Sequence, residues 1–227
     1  VGLLRDLFRG RPAVIVSAGP SLDRNITELI GASEAMIVIA IGRTAEPLAR
    51  LGIAPHFLVH NEPNPFYGFI QGCDNLDQTA FVLSSHTETA YYSHPHGPSF
   101  VFGNPADFVD RWLEEHVPGS LTTPLETAGS VANEAFDLAC LLGCDPIVLI
   151  GQDLAFSGER YYARDEVNRA FRHGDGDVRA VPGYFGDTVE TLSTWLGYLT
   201  WFRERAETLA RARPALTLIN ATEGGAL

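Results

Sequence analysis

The stretch VIVSAGPSLD, residues 14–23, decides the fold. With Ala13 it begins as a short apolar run, AVIV, and stops abruptly at Ser17. Ala18, Gly19, Pro20 and Ser21 form the junction, and a helix capped by Ser21 or Asp23 is expected to run to about Ile30. A strand without in–out alternation is covered on both faces. Similar runs recur at residues 36–41, 56–59, 79–83, 99–102, 146–150 and 215–219. Helical patterns lie among them, at 43–51 before Gly52, at 130–142 before Gly143, and from 188 to about 211. Buried strands interleaved with helices predict an α/β fold: a Rossmann-like, mostly parallel sheet with helices on both faces.

The whole chain, residues 1–227, reads as one domain. Residues 1–10 read as an amphipathic lead-in helix, and Arg5, Asp6 and Arg9 within it argue against a signal peptide. Residues 157–186, rich in glycine, tyrosine and charge, read as a lid-like insertion. Hydrophobic residues make up 45% and charged residues 19%, which supplies a core and argues against global disorder. Sixteen basic against 28 acidic side chains leave a net charge of −12. That balance argues against a nucleic-acid partner, and any bound anion must be held locally by backbone N–H groups and a few arginines. No apolar run approaches the roughly 18 residues of a membrane span. Cys140 and Cys144 stand four apart in an apolar helical run and read as core; with Cys73 they cannot pair fully. This usage suits a reducing compartment, so a cytoplasmic location is expected.

In parallel sheets ligands sit beyond the carboxyl ends of the strands, so the residues just after each run carry the chemistry. Gly19 allows close backbone approach, Pro20 sacrifices no needed N–H, and a helix start at Ser21 offers donors to a phosphate. The same residues also suit an ordinary strand–helix turn. Neither the GxGxxG fingerprint nor GxxxxGK[ST] is present. After the third run, HNEPN places Asn61, able to read a sugar or base, beside Glu62, a candidate general base or ligand for a sugar hydroxyl. The helix start ETAGSVAN offers Thr127, Gly129 and Ser130, with Asn133 one turn in, as a second phosphate or carboxylate site or a plain cap. Asp153 directly follows a buried strand, where an acid either works or pairs; Gln152, Arg160, Tyr161 and Tyr162 surround it. The last run ends in Asn220, Thr222 and Glu223 before Gly224-Gly225. His86, His94, His96 and His173 are scattered, His94 and His96 read as a surface turn, and no metal-ligand set is expected.

Taken in order, SAGPSLD, GRTAEPLARLGIAPHFLV, TAGSVANEAFDLACLLGCDPIVLIGQDLAF, VPGYFGDTVETLSTWLGYLTWFRE and NATEGGA resemble the central domain of the motility-associated factor (Maf) family of flagellin glycosyltransferases. The resemblance runs from about Arg11 to Leu227. The domain is also similar to bacterial sialyltransferases with a GPSL loop and to an archaeal 6-hydroxymethylpterin diphosphokinase, the MptE-like type. The resemblance implies transfer of a nonulosonic, sialic-acid-like sugar from its CMP-activated form to serine or threonine of flagellin, with no cofactor required. Gly19, Pro20 and Ser21 would face the CMP phosphate, and Asn61 the cytidine–sugar junction. Thr127, Gly129 and Ser130 would hold the sugar carboxylate or nucleotide, and Tyr161 or Tyr162 would neutralise the departing phosphate. The sialyltransferases' histidine base has no counterpart in PGYFGDT, so Asp153, Glu62 or Asp187 is left to take the acceptor proton. Two alternatives accompany this expectation. One is a Mg-ATP-dependent diphosphokinase with Glu62 and Asp153 sharing the Mg²⁺; the other is a non-catalytic nucleotide-binding scaffold.

Overall fold

The central apolar runs become strands covered from both sides, while the edge runs at 99–102 and 218–220 stay partly exposed. The computed structural model describes residues 1–64, 67–104, 106–117, 119, 123–158, 160–163 and 177–226. Its strands are β1 (Ala13–Val16), β2 (Ile37–Ile41), β3 (Phe57–His60), β4 (Ala80–Ser84), β5 (Ser99–Phe102), β6 (Ile147–Ile150), β7 (Val178–Pro182), β8 (Thr188–Leu192) and β9 (Leu218–Asn220). Its α-helices are α1 (Leu22–Asn25), α2 (Ala32–Ala35), α3 (Ala45–Arg50), α4 (Thr89–Ser93), α5 (Phe108–His116), α6 (Val131–Leu141) and α7 (Ser193–Ala212).

Seven strands form one sheet in the order β5-β4-β3-β2-β1-β6-β9, every neighbouring pair parallel. Successive residues of one strand feed opposite faces. Ile15, Ile39, Val59 and Val82 pack with Phe136 and Leu138 of α6 and with Phe202 and Leu209 of α7. Val14, Val16, Val38 and Ala40 pack with Leu22 and Leu48 on the other side. Leu58, Phe81 and Leu83 extend that second face with Phe69, Ile70 and Tyr91. Cys144 lies in the first cluster with Cys140 packed against it, so both cysteines are core as expected. The chain steps outward from β1 to β5 and then returns to lay β6 on the free side of β1. That reversal opens a crevice between the carboxyl ends of β1 and β6, the place where such sheets hold ligands.

Several local expectations are corrected. Residues 1–10 are not a helix: Gly2–Leu4 is a 3₁₀ turn followed by further turns. The N–H groups of Asp6, Phe8 and Gly10 donate to the carbonyls of Leu141, Leu142 and Gly143 at 2.8, 3.0 and 2.8 Å. They satisfy the carbonyl end of α6, a task incompatible with a helix of their own. The first helix ends early at Asn25 (φ −127°, ψ 1°), whose side chain donates to the Ala221 carbonyl at 3.0 Å; a 3₁₀ turn over Ile26–Leu29 follows. The helix expected from 188 begins only at Ser193, because Thr188–Leu192 pairs antiparallel with Val178–Pro182 in a hairpin. The lid-like insertion therefore contains a strand, and residues 164–176 of it lie outside the described residues. The last strand starts at Leu218 rather than 215. His94 is buried, with its ring nitrogens bonded to the Tyr67 hydroxyl and the Cys73 carbonyl, so the expected surface turn is a core histidine. His173 lies outside the described residues. No described helix is long and apolar enough to cross a membrane.

Candidate functional site

The loops after β1 and β6 are sewn together at the crevice floor. The Gly19 N–H donates to the Gly151 carbonyl at 2.7 Å, and the Ser17 hydroxyl to Gln152 Oε1 at 2.6 Å. Asp153 accepts three bonds from Ser21, two from its N–H at 3.1 and 3.3 Å and one from its hydroxyl at 2.6 Å. Glycine is obligatory at two of these positions. A Cβ on Gly19 would fall on the Asp153 carboxylate, and one on Gly151, at φ +63°, on the Ser17 carbonyl. Ser21 therefore serves Asp153 instead of capping α1. Burial raises the Asp153 carboxyl above its usual range, and the Ser21 bonds work against that rise.

Two cavities open on either side of Asp153. The first, about 220 Å³, lies over the ends of β1, β2, β3 and β6 and against the N-terminus of α6. It is lined by seven of the expected residues besides Asp153: Gly19, Glu62, Gly129, Ser130, Gln152, Tyr161 and Tyr162. Ser130 caps α6 by accepting from the Ala132 N–H. The second, about 720 Å³, is bounded by Pro20, Ser21, Arg24, Asp153, Asp187 and the Tyr184-Phe185 turn of the β7–β8 hairpin.

Four expected residues line neither cavity. Asn61 turns away and donates to both oxygens of Glu134 at 2.7 and 2.8 Å. Thr127 hydrogen-bonds the same carboxyl, which is 1% exposed and pushed up to about 7, mainly by burial. Asn133 is fully buried, and its side-chain N and O have no partner among the described residues. Glu223 (φ +59°) offers its carbonyl to Arg24 at 2.6 Å.

The crevice also holds groups to which the sequence reading assigned no role. The Arg43 guanidinium lies 4.6 Å from the ring centroids of both Phe69 and Tyr162 and brings a cation to the cavity wall. His60 is buried, stacked on Tyr91 with centroids 4.1 Å apart, and held down to about 3 by burial and by Arg43. It is thus a neutral imidazole, and its Nε2 has no partner among the described residues. Both residues stand at strand ends, so the post-strand rule had already pointed at their positions. Trp195 and Tyr198 of α7 close the cavity, and Glu134 sits one turn inside α6; nothing in the local sequence marks these three for the site.

The order of the sheet, the crevice at its reversal and the glycine-tight floor define a Rossmann-like α/β domain built to hold a ligand at its strand ends. A family model described as "6-hydroxymethylpterin diphosphokinase MptE-like" matches residues 1–159, and the chain belongs to that family. The solved structure of a MAf glycosyltransferase from Magnetospirillum magneticum AMB-1 is similar in fold, with a TM-score of 0.75 and 21% identity. The likeness covers 98% of this chain and 33% of that one, so the chain spans about a third of that protein's length. No curated protein matches.

Proposed function

We propose that this chain is a nucleotide-dependent transferase domain whose smaller cavity takes the phosphate end of its donor. The carrying observation is the donor set of that cavity: the Arg43 guanidinium, the phenols of Tyr161 and Tyr162 and the N-terminus of α6 converge on one space. In a chain of net charge −12, such a local cluster is what an anionic leaving group requires. Gly19 and Gln152 supply the floor, and Glu62 at the rim is the group available to accept a hydroxyl proton. Asp153 is committed to Ser21 and fixes the floor, which suits it to positioning more than to proton transfer.

Family membership favours diphosphoryl transfer from Mg²⁺-ATP to the hydroxymethyl oxygen of a pterin, with AMP leaving. Glu62 and Asp153 both line the cavity, but no group of three ligand atoms gathers there among the described residues. The phosphates themselves would supply most of a Mg²⁺ ion's ligands. A second reading is transfer of a nonulosonic acid from its CMP form to serine or threonine of flagellin. It is supported by Tyr161, Tyr162, Trp195 and Tyr198, which lie beyond residue 159 and within the extent of the glycosyltransferase likeness. Either nucleotide donor fits a cytoplasmic setting.

Calorimetric titration of the chain with Mg²⁺-ATP, with ATP in EDTA and with CMP separates the readings. Binding of ATP only with Mg²⁺ supports the diphosphokinase, and metal-independent binding of CMP supports the sugar transferase. In either case Arg43→Gln should weaken binding. A nucleotide at 100 times its Kd should add about 2.7 kcal/mol to unfolding. Binding of neither would overturn the proposal.

A further inference from the structure

A second group of chemically active side chains lies on the same rim of the sheet, away from both cavities. Ser84 of β4 is in register with Phe102 of β5, so the loops that follow these strands leave side by side. One loop carries His86; the other leads into α5, whose cap is Asp107 and whose first turn carries Asp110. His86 Nε2 lies 3.5 Å from Asp107 Oδ1 and 3.7 Å from Asp110 Oδ2. One ligand atom from each of the three residues falls within 4.8 Å of the other two.

These separations are too long for hydrogen bonds, which close at about 2.7–3.2 Å. They match the edge of a coordination tetrahedron. With metal–nitrogen and metal–oxygen bonds near 2.1 Å, neighbouring ligand atoms stand about 3.4 Å apart. The Asp110 side chain provides an independent sign. It is 2% exposed, its Oδ2 accepts the Asn104 N–H at 2.6 Å, and its Oδ1 is buried with no partner among the described residues. A buried carboxylate oxygen without a partner is costly, and a cation beside it removes the cost. Asp107 is already held in place, its Oδ1 accepting from the N–H groups of Val109 and Asp110 at 2.7 and 3.2 Å. His86 is 38% exposed, which leaves a path for an ion and room for water in the remaining positions.

We propose that His86, Asp107 and Asp110 bind one divalent transition-metal ion. One imidazole and two carboxylates form a borderline donor set, suited to Zn²⁺ or Mn²⁺; Mg²⁺ and Ca²⁺ prefer oxygen alone. The ion would clamp the loop after β4 to the first turn of α5. The proposal is independent of the reaction assigned to the nucleotide crevice.

The test is calorimetric titration of the full chain, stripped with EDTA, with ZnCl₂ and with MnCl₂, no nucleotide being present. Wild type should bind one equivalent of at least one of the two ions and unfold at a higher temperature with it. Asp110→Asn and His86→Gln should each weaken binding at least about tenfold. His96→Ala should leave it unchanged, because both ring nitrogens of His96 are engaged, by the His94 carbonyl and the Ser99 hydroxyl. His86→Gln changes a partly exposed residue, so it keeps the test decisive if Asp110→Asn fails to fold. Wild type that binds neither ion, or His86→Gln that binds as tightly as wild type, would overturn the proposal.

Discussion

Replacing Glu134 by glutamine should stabilise the protein increasingly as pH rises. The Glu134 carboxyl is buried under the crevice wall, where Asn61 and Thr127 hydrogen-bond it but do not offset its desolvation, and Glu62 adds repulsion. Its pKa moves from 4.5 in the open chain to about 7 in the fold. Because the folded value is the higher one, the native state binds more protons between the two, and stability falls as pH rises through that window. At about 1.4 kcal/mol per pH unit, the ionised carboxylate costs about 3 kcal/mol above pH 7, and the cost vanishes below about pH 4.5. Glutamine has no proton to lose. It also loses one of the paired acceptors facing Asn61, which costs about 1 kcal/mol at every pH. Urea unfolding of wild type and Glu134→Gln at pH 5, 6, 7 and 8 isolates the pH-dependent part. The difference should swing toward the variant by about 2–3 kcal/mol between pH 5 and 8, nearly all of it by the highest pH. Parallel pH profiles would refute the reasoning, for they would mean that Glu134 stays ionised in the native state.

Gly151→Ala should destabilise the fold by about 2 kcal/mol or more, since its Cβ would press on the Ser17 carbonyl from a left-handed backbone; denaturant unfolding checks this. Ser21→Ala removes a hydroxyl bond to a buried carboxylate and should cost about 2 kcal/mol at neutral pH. It should also raise the Asp153 pKa further, because the Ser21 bonds are what restrain it. Carboxyl NMR would read that rise directly, and an unchanged titration would remove Ser21 from the account.

How much of this was legible depended on the range of the interaction. Strands β1 to β6 were read to within a residue or two: two-sided burial leaves an unbroken apolar run in β1 to β4, and the partly exposed β5 and β6 still carry short apolar runs. The β7–β8 hairpin was lost because Thr188, Thr191 and Leu192 fall in helical phase with Trp195, Leu196 and Leu199, so strand and helix read as one helix. Asp153 was singled out by its place after a buried strand, yet its partner Ser21 is 132 residues away, and no local pattern encodes that pairing. Glu134 carries no local mark, since an acid in the first turn of a helix is ordinary; only tertiary packing buries it. His86 and the pair Asp107 and Asp110 come from different loops, and only the β4–β5 register unites them.

The floor of the crevice also depends on the last residues described. The Ala226 N–H donates to the Asp153 carbonyl at 2.8 Å, and the Gly225 carbonyl accepts from the Tyr184 N–H at 2.9 Å. The backbone of Gly225 lies so close to Asp153 that a Cβ there would overlap it. Removing residues 218–226 would leave all but an edge strand of the main sheet, but Asp153 would lack its cover. Order at the floor therefore rests on contacts between segments far apart in the sequence, the class of contact that is slow to form in folding.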